Sequence, residues 1–263
     1  MSLGIFTAGW MERAGAESVD TELLLLVDIT QRGLNRTEFE KVMDDYATAM
    51  TSSEVLDSIQ SGAYGRIAVS LMFYGNSVTQ EVGVPWMSIG SASDAQQFAD
   101  FVRQANPPFS IGTPAIDSAL QAATLAFGSE TGGAGNGFES LVQIIDLAGA
   151  SSPTPGDVVD VAAARDSALA SGVDMINAIA LGNRATQIEG YYASNVIGGE
   201  AGGVLASTTT SGINASLGST LAGQISGGVN GAAVESLASV PEPSPVIAIL
   251  SGLSILLIRR RRN

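Results

Sequence analysis

The sequence predicts a doubly wound α/β fold, a mostly parallel sheet with helices on both faces and one antiparallel edge strand. Three observations predict it. Apolar runs alternate with stretches of helical spacing; the runs are apolar throughout instead of at every second residue, as strands covered on both faces require; and a Gly75-Asn76 pair between two such runs marks a single hairpin.

The elements follow in order. Residues 21–30 contain Leu23-Leu24-Leu25-Leu26-Val27 and end at Asp28, the pattern of a buried first strand. Residues 36–59 show helical spacing through Phe39, Val42, Met43, Tyr46, Ala49 and Met50, and two starting caps fit, Asn35 with Glu38 or Thr37 with Glu40. Residues 66–74 form the second strand and residues 81–87 the third, across the Gly75-Asn76 turn. A helix over residues 91–106 starts at Ser91, with Asp94 at cap spacing, and carries Phe98, Phe101 and Val102 on one face. Thr113 is expected to cap the next helix, with Pro114 in its first position and Ile116, Leu120, Ala123 and Phe127 on its inner stripe. Residues 132–137 are Gly-rich but precede a strand instead of following one, so they make a poor phosphate cradle. A fourth strand over 141–147, a helix over 158–171 and a fifth strand over 173–181 complete the alternation. Tyr191, Tyr192 and Trp86 either form an exposed aromatic patch or pack under the sheet's edge.

After the domain, residues 206–239 turn to Ser, Thr, Gly and Ala, with no charge from Gly202 to Ala233. A last weak helix fits residues 206–225, with Leu217, Leu221 and Ile225 at spacing four, and residues 226–239 read as a tether. Residues 240–263 then hold Pro241-Glu242-Pro243, an apolar run over 246–258, and Arg259, Arg260, Arg261 and Arg262 before Asn263. A helix over that run covers about 20 Å, short of the roughly 30 Å hydrocarbon core, so it suits a transient anchor. The arginines hold its end in the cytoplasm and leave the domain on the far side. This tail resembles the PEP-CTERM sorting signal of Gram-negative bacteria. The resemblance implies export, transient anchoring in the inner membrane by a single hydrophobic helix, and processing by an exosortase-type enzyme, with release to the cell surface or extracellular space. At the other end, residues 1–18 lack a basic region and a long apolar core, although Ala14-Gly15-Ala16 has the form of a cleavage site. They read either as the remnant of a signal peptide whose full form lies upstream or as a plain N-terminal segment.

Composition narrows the chemistry. The 263 residues, one domain of ordinary size plus tails, carry a net charge of −14, which becomes −17 once the four terminal arginines and Glu242 are set aside. Such an acidic surface argues against nucleic acid as a partner. The chain has no cysteine and no histidine, which excludes disulfides, thiolate nucleophiles, Cys/His metal sites and imidazole proton transfer. Carboxylate pairs remain for acid/base work, but the Asp and Glu residues do not converge in the sequence, so an enzyme is not expected.

The strand into Asp28-Ile29-Thr30, Val84-Pro85-Trp86, the segment from Gly112-Thr113-Pro114 to Leu120, Ile145-Asp146, Arg165-Asp166-Ser167-Ala168 and Tyr191-Tyr192 through Gly198-Gly199 are together similar to an uncharacterised bacterial family with von Willebrand factor type A architecture. The match spans about residues 19–205. Domains of this type commonly hold Mg²⁺ or another divalent ion through Asp-x-Ser-x-Ser after the first strand, a loop threonine and an aspartate after the fourth strand. Carried onto this chain, the resemblance implies a metal site of Asp28, Thr30, Thr113 and Asp146, with Arg32 and Ala150 in place of two expected ligands. A guanidinium about 5 Å from a divalent ion would repel it by roughly 7 kcal/mol at an effective dielectric of ~20. The expectation is therefore a degenerate adhesion site that holds no cofactor, Arg32 pairing with Asp28 where Mg²⁺ or Ca²⁺ would sit, with an intact site as the alternative.

Export and fold together lead to an expected non-catalytic surface or extracellular-matrix module for adhesion, binding a protein or polysaccharide outside the cell. A structural spacer without a ligand site is the runner-up, and a hydrolase using Asp28 or Asp146 the least favoured reading.

Overall fold

The computed structural model describes residues 15–32, 34–152, 158–199, 204–207 and 213–236. The tripeptide Pro241-Glu242-Pro243, the spanning segment 246–258, Arg259 to Arg262 and residues 1–14 lie outside the described residues. Among the described residues no helix is long and apolar enough to cross a membrane.

Strands form two sheets. A short ribbon pairs β1 (Glu17–Val19) with β5 (Phe138–Ser140) in parallel. The main sheet has seven strands, with β2 (Glu22–Asp28) between β3 (Ile67–Tyr74) and β6 (Gln143–Gly149), both parallel to it. β4 (Gln80–Ile89) closes one edge antiparallel to β3, and β7 (Met175–Leu181) continues the parallel order beyond β6. β8 (Gly198–Gly199) and β9 (Val204–Ser207) both pair with β7, the first antiparallel and the second parallel. The chain builds outward from β2 through β3 to β4 and then returns to lay β6 on the other side, so the topological switch point falls between β2 and β6.

β2, β3, β6 and β7 are buried along their whole length because helices cover both faces. α1 (Arg36–Met50), α2 (Ser53–Gln60), α3 (Ala92–Gln104) and α7 (Ile213–Ser236) pack on one face, α4 (Ile116–Ala126), α5 (Val158–Ala170) and α6 (Ala185–Asn195) on the other. Side chains of a strand alternate between faces. Leu23, Leu25, Val27 and Ile29 therefore feed the α1 side, while Leu24 and Leu26 feed the α4 side. Each such side chain contributes about 1.5–3 kcal/mol by leaving water.

Several elements differ from the sequence reading. Residues 36–59 form two helices, because the Ser52 side chain accepts from the Val55 amide and starts α2 afresh, while its hydroxyl donates to the Ala49 carbonyl. The first cap is Asn35 with Glu38, in a reciprocal capping box. Thr113 does not cap α4, which starts at Ile116 without a side-chain cap; the Ala115 amide is instead drawn to the Gly75 carbonyl at 2.8 Å. Phe101 leaves the inner face of α3, whose stripe is Ala95, Phe98, Ala99 and Val102, and stands 46% exposed. Tyr192 is buried and Trp86 half-buried against Phe127, so they form no exposed patch. β1, α6, β8 and β9 escaped the periodicity altogether, and α7 continues to Ser236 through residues expected to tether.

Candidate ligand face at the switch point

The carboxyl ends of β2 and β6 meet at the switch point, where α/β sheets of this order place their ligands. Asp28 ends β2 on the α4 side and is 3% exposed. Both of its oxygens are engaged within the protein. Oδ1 accepts the Thr30 amide at 2.7 Å, and Oδ2 accepts the Ser151 hydroxyl at 3.1 Å. The Thr30 and Ser151 hydroxyls lie 3.4 Å apart, and the Tyr192 hydroxyl donates to the Ser151 carbonyl at 3.3 Å. Thr30 is held from below by its bridge to Ser110, whose amide donates to the Ile29 carbonyl and whose carbonyl accepts the Gln31 amide.

Close packing over this cluster requires Gly149. A Cβ there would sit 2.4 Å from the Tyr192 hydroxyl and 2.9 Å from that of Tyr74, so the two phenols converge where β6 has no side chain. Burial pushes the Asp28 carboxyl up to about 6, and the hydrogen bonds from Thr30 and Ser151 pull the other way. Burial likewise raises Tyr74 and Tyr192 well above the usual phenol range.

The other expected ligands are elsewhere. Asp146 lies inside β6, opposite Leu25, and its side chain enters the α1 side of the sheet. There Oδ1 accepts the Tyr46 hydroxyl at 2.9 Å and Oδ2 accepts the Gln224 amide at 2.8 Å. Burial raises its carboxyl, and these two donors hold it down in part. Thr113 is half-buried in the loop before α4 and hydrogen-bonds neither Asp28 nor Thr30. Ala150 is buried in the core on the α1 side. Arg32 is exposed and does not pair with Asp28, whose acceptors are already taken.

These residues do not fit a divalent cation. Such an ion takes six or more oxygen ligands, usually with several charges. The cluster offers a single carboxylate with both oxygens occupied, and no group of three or more His, Cys, Asp or Glu side chains is placed to hold a metal among the described residues. Ser151 and Tyr74 complete the cluster with Tyr192, which the sequence offers only as an aromatic at the sheet's edge, because only the fold brings β3, β6 and α6 to the end of β2.

Beside the cluster a groove of about 490 Å³ opens between the loop after β2 and the segment before α4, lined by Gln31, Arg32, Leu34, Asn35, Arg36 and Phe109. The Arg36 guanidinium lies over the Phe109 ring, 4.4 Å from its centroid, and donates to the Asn106 side chain.

A family described as protein of unknown function, DUF1194, matches residues 18–227. The chain belongs to this family. Members of the von Willebrand factor type A fold share its architecture. Proximal thread matrix protein 1 from the mussel byssus superposes with a TM-score of 0.51 at 16% identity, over 81% of this chain and 48% of that one. A form of the same mussel protein with a zinc-occupied MIDAS motif matches with a TM-score of 0.51 at 15% identity, over 81% and 50%. The SpRpn10 VWA domain matches with a TM-score of 0.50 at 14% identity, over 78% of this DUF1194 chain and 95% of its own. The chain thus spans about half the length of the mussel protein. No curated protein matches the sequence.

Proposed function

We propose that this DUF1194 protein is an exported, non-catalytic binding module of the cell surface or extracellular matrix, whose ancestral cation site is degenerate. In this reading Pro241-Glu242-Pro243 and the arginines Arg259 to Arg262 direct it to an exosortase-type enzyme at the inner membrane, and the domain then engages a protein or polysaccharide partner outside the cell. The observation that carries the reading is the internally satisfied Asp28 at the ligand face of a type A fold: the fold keeps that face while the carboxylate is spent on Thr30 and Ser151. A protein without His or Cys, with Asp28 and Asp146 on opposite faces of the sheet, offers neither an imidazole base nor a convergent carboxylate pair at this site, and the one hydroxyl–carboxylate contact, Ser151 on Asp28, is buried at both residues. The thread matrix protein of the mussel byssus offers an analogy of fold for a matrix role.

Fractionation of the native host, with mass spectrometry of the mature C-terminus and a pull-down from the envelope fraction, tests the reading. A processed, extracytoplasmic product that captures a partner is expected. A cytoplasmic product that retains Arg259 to Asn263 would count against sorting. Capture of nothing by a correctly exported domain would favour a structural spacer.

A further inference from the structure

Building on the binding-module reading, we propose that the groove beside Asp28 binds the carboxylate of an acidic sugar, a hexuronate unit of a polysaccharide, through Arg32 and Arg36 and without a metal ion. The first support is an imbalance of charge. Among the described residues Lys41, Arg66, Arg103 and Arg165 each lie within 4.0 Å of a carboxylate; Arg32, Arg36 and Arg184 have none, and of these Arg32 and Arg36 share one groove. On a chain of net charge −14, two unpaired guanidiniums at one site are an investment in anion binding.

Arg36 is also held in place. Its stacking on Phe109 and its bond to Asn106 fix the side chain, and Phe109 is braced in turn by Phe39, with ring centroids 5.3 Å apart. A guanidinium has five N–H donors, and only one is used on Asn106. The rest are available for the planar, two-pronged contact that carboxylates accept. The helix itself supplies no charge to the ligand, since Asn35 and Glu38 already cap α1.

Size and lining favour a sugar. About 490 Å³ falls in the range of small-molecule sites, and the Gln31 side-chain amide, without a hydrogen bond among the described residues, offers both a donor and an acceptor to hydroxyl groups. An acidic peptide would carry the same carboxylate, and arginine clusters take acidic motifs as well, but a peptide docked by strand addition needs a sheet edge. The groove sits at the end of β2, a central strand with β3 between it and the edge strand β4.

Calorimetric titration of the exported domain with tetragalacturonate tests the assignment, using the methyl-esterified tetramer and poly-L-glutamate as comparison ligands. Saturable binding to tetragalacturonate in the presence of a chelator is expected, weakening with added salt and by about tenfold in Arg36→Gln or Arg32→Gln, the scale of one charge-assisted contact. Arg66→Gln, at the opposite end of the sheet, leaves it unchanged. Arg36→Lys keeps the charge but loses the fork, and recovers only part of the affinity; thermal melts of each variant separate lost binding from lost folding. Equal binding of the ester, equal or tighter binding of poly-L-glutamate, or indifference to both arginine substitutions would overturn the assignment. If an envelope partner is captured equally by wild type and by the double variant, the binding module stands and this groove is not its ligand site.

Discussion

Asp28 shows how a residue type expected to hold a metal serves another purpose. Its carboxyl titrates near 6 in the folded chain against an ordinary 3.8, so between those values the folded state holds more protons than the unfolded one. The resulting stability is complete below about 3.8 and is lost as pH rises through 6, an effect of up to about 3 kcal/mol. Asp28→Asn keeps an acceptor for the Thr30 amide and abolishes the titration, so its melting temperature should fall less between pH 4.5 and 7 than that of wild type. A wild-type slope unchanged by the substitution would contradict this. Gly149→Ala should destabilise by about 1–3 kcal/mol in denaturant melts, because the new methyl meets the Tyr192 and Tyr74 hydroxyls. Asp28 was legible at the end of an apolar run, and Thr30 through the resemblance to type A domains. Ser151 was not. Its role depends on β6 lying beside β2, a pairing that no local pattern encodes.

Among the elements, the boundary between α1 and α2 rests on one hydroxyl. Ser52→Ala should cost about 1 kcal/mol by removing the cap on Val55, as measured by urea unfolding. Helical spacing continues smoothly across Thr51 and Ser52, so the break was invisible to periodicity; only the competition between a side-chain oxygen and the helix's own carbonyls reveals it. The strands were read more reliably because continuous Leu, Ile and Val runs admit few other fates between two helical layers. α6 was missed since Ala185, Ile188 and Tyr192 are its only buried positions, interleaved with polar residues. In α7 the expected stripe is present: Leu217, Leu221 and Ile225 are fully buried. Leu221→Ala should destabilise by about 2–5 kcal/mol, a loss that calorimetric melting detects.

At the scale of the whole molecule, acidity and burial collide beneath the sheet. Glu22, at the start of β2, is fully buried, accepts the Asn136 amide and the Ser140 hydroxyl, and faces Glu130. Burial and that second carboxyl push it up to about 8. The sign matches that of Asp28: the contribution is complete below about 4.5 and fades as pH rises to 8. The protein should therefore melt at a higher temperature at pH 5 than at pH 8.5, and Glu22→Gln should flatten much of that difference. The last helix adds a mechanical property. α7 lies on α1 and α2 instead of pairing into the sheet, fastened by its apolar stripe, by Gln224 on Asp146 and by Ser226 on Ser58. Tension applied through the residues after Ser236 enters the domain along this helix, and side-chain contacts peel one after another while parallel strands must shear together. Pulling the chain by its ends should give a small early extension before the sheet ruptures; a single rupture would show that α7 and the sheet yield as one. Release of α7 ahead of the sheet would take Gln224 off the Asp146 carboxylate and expose it to water before the core gives way.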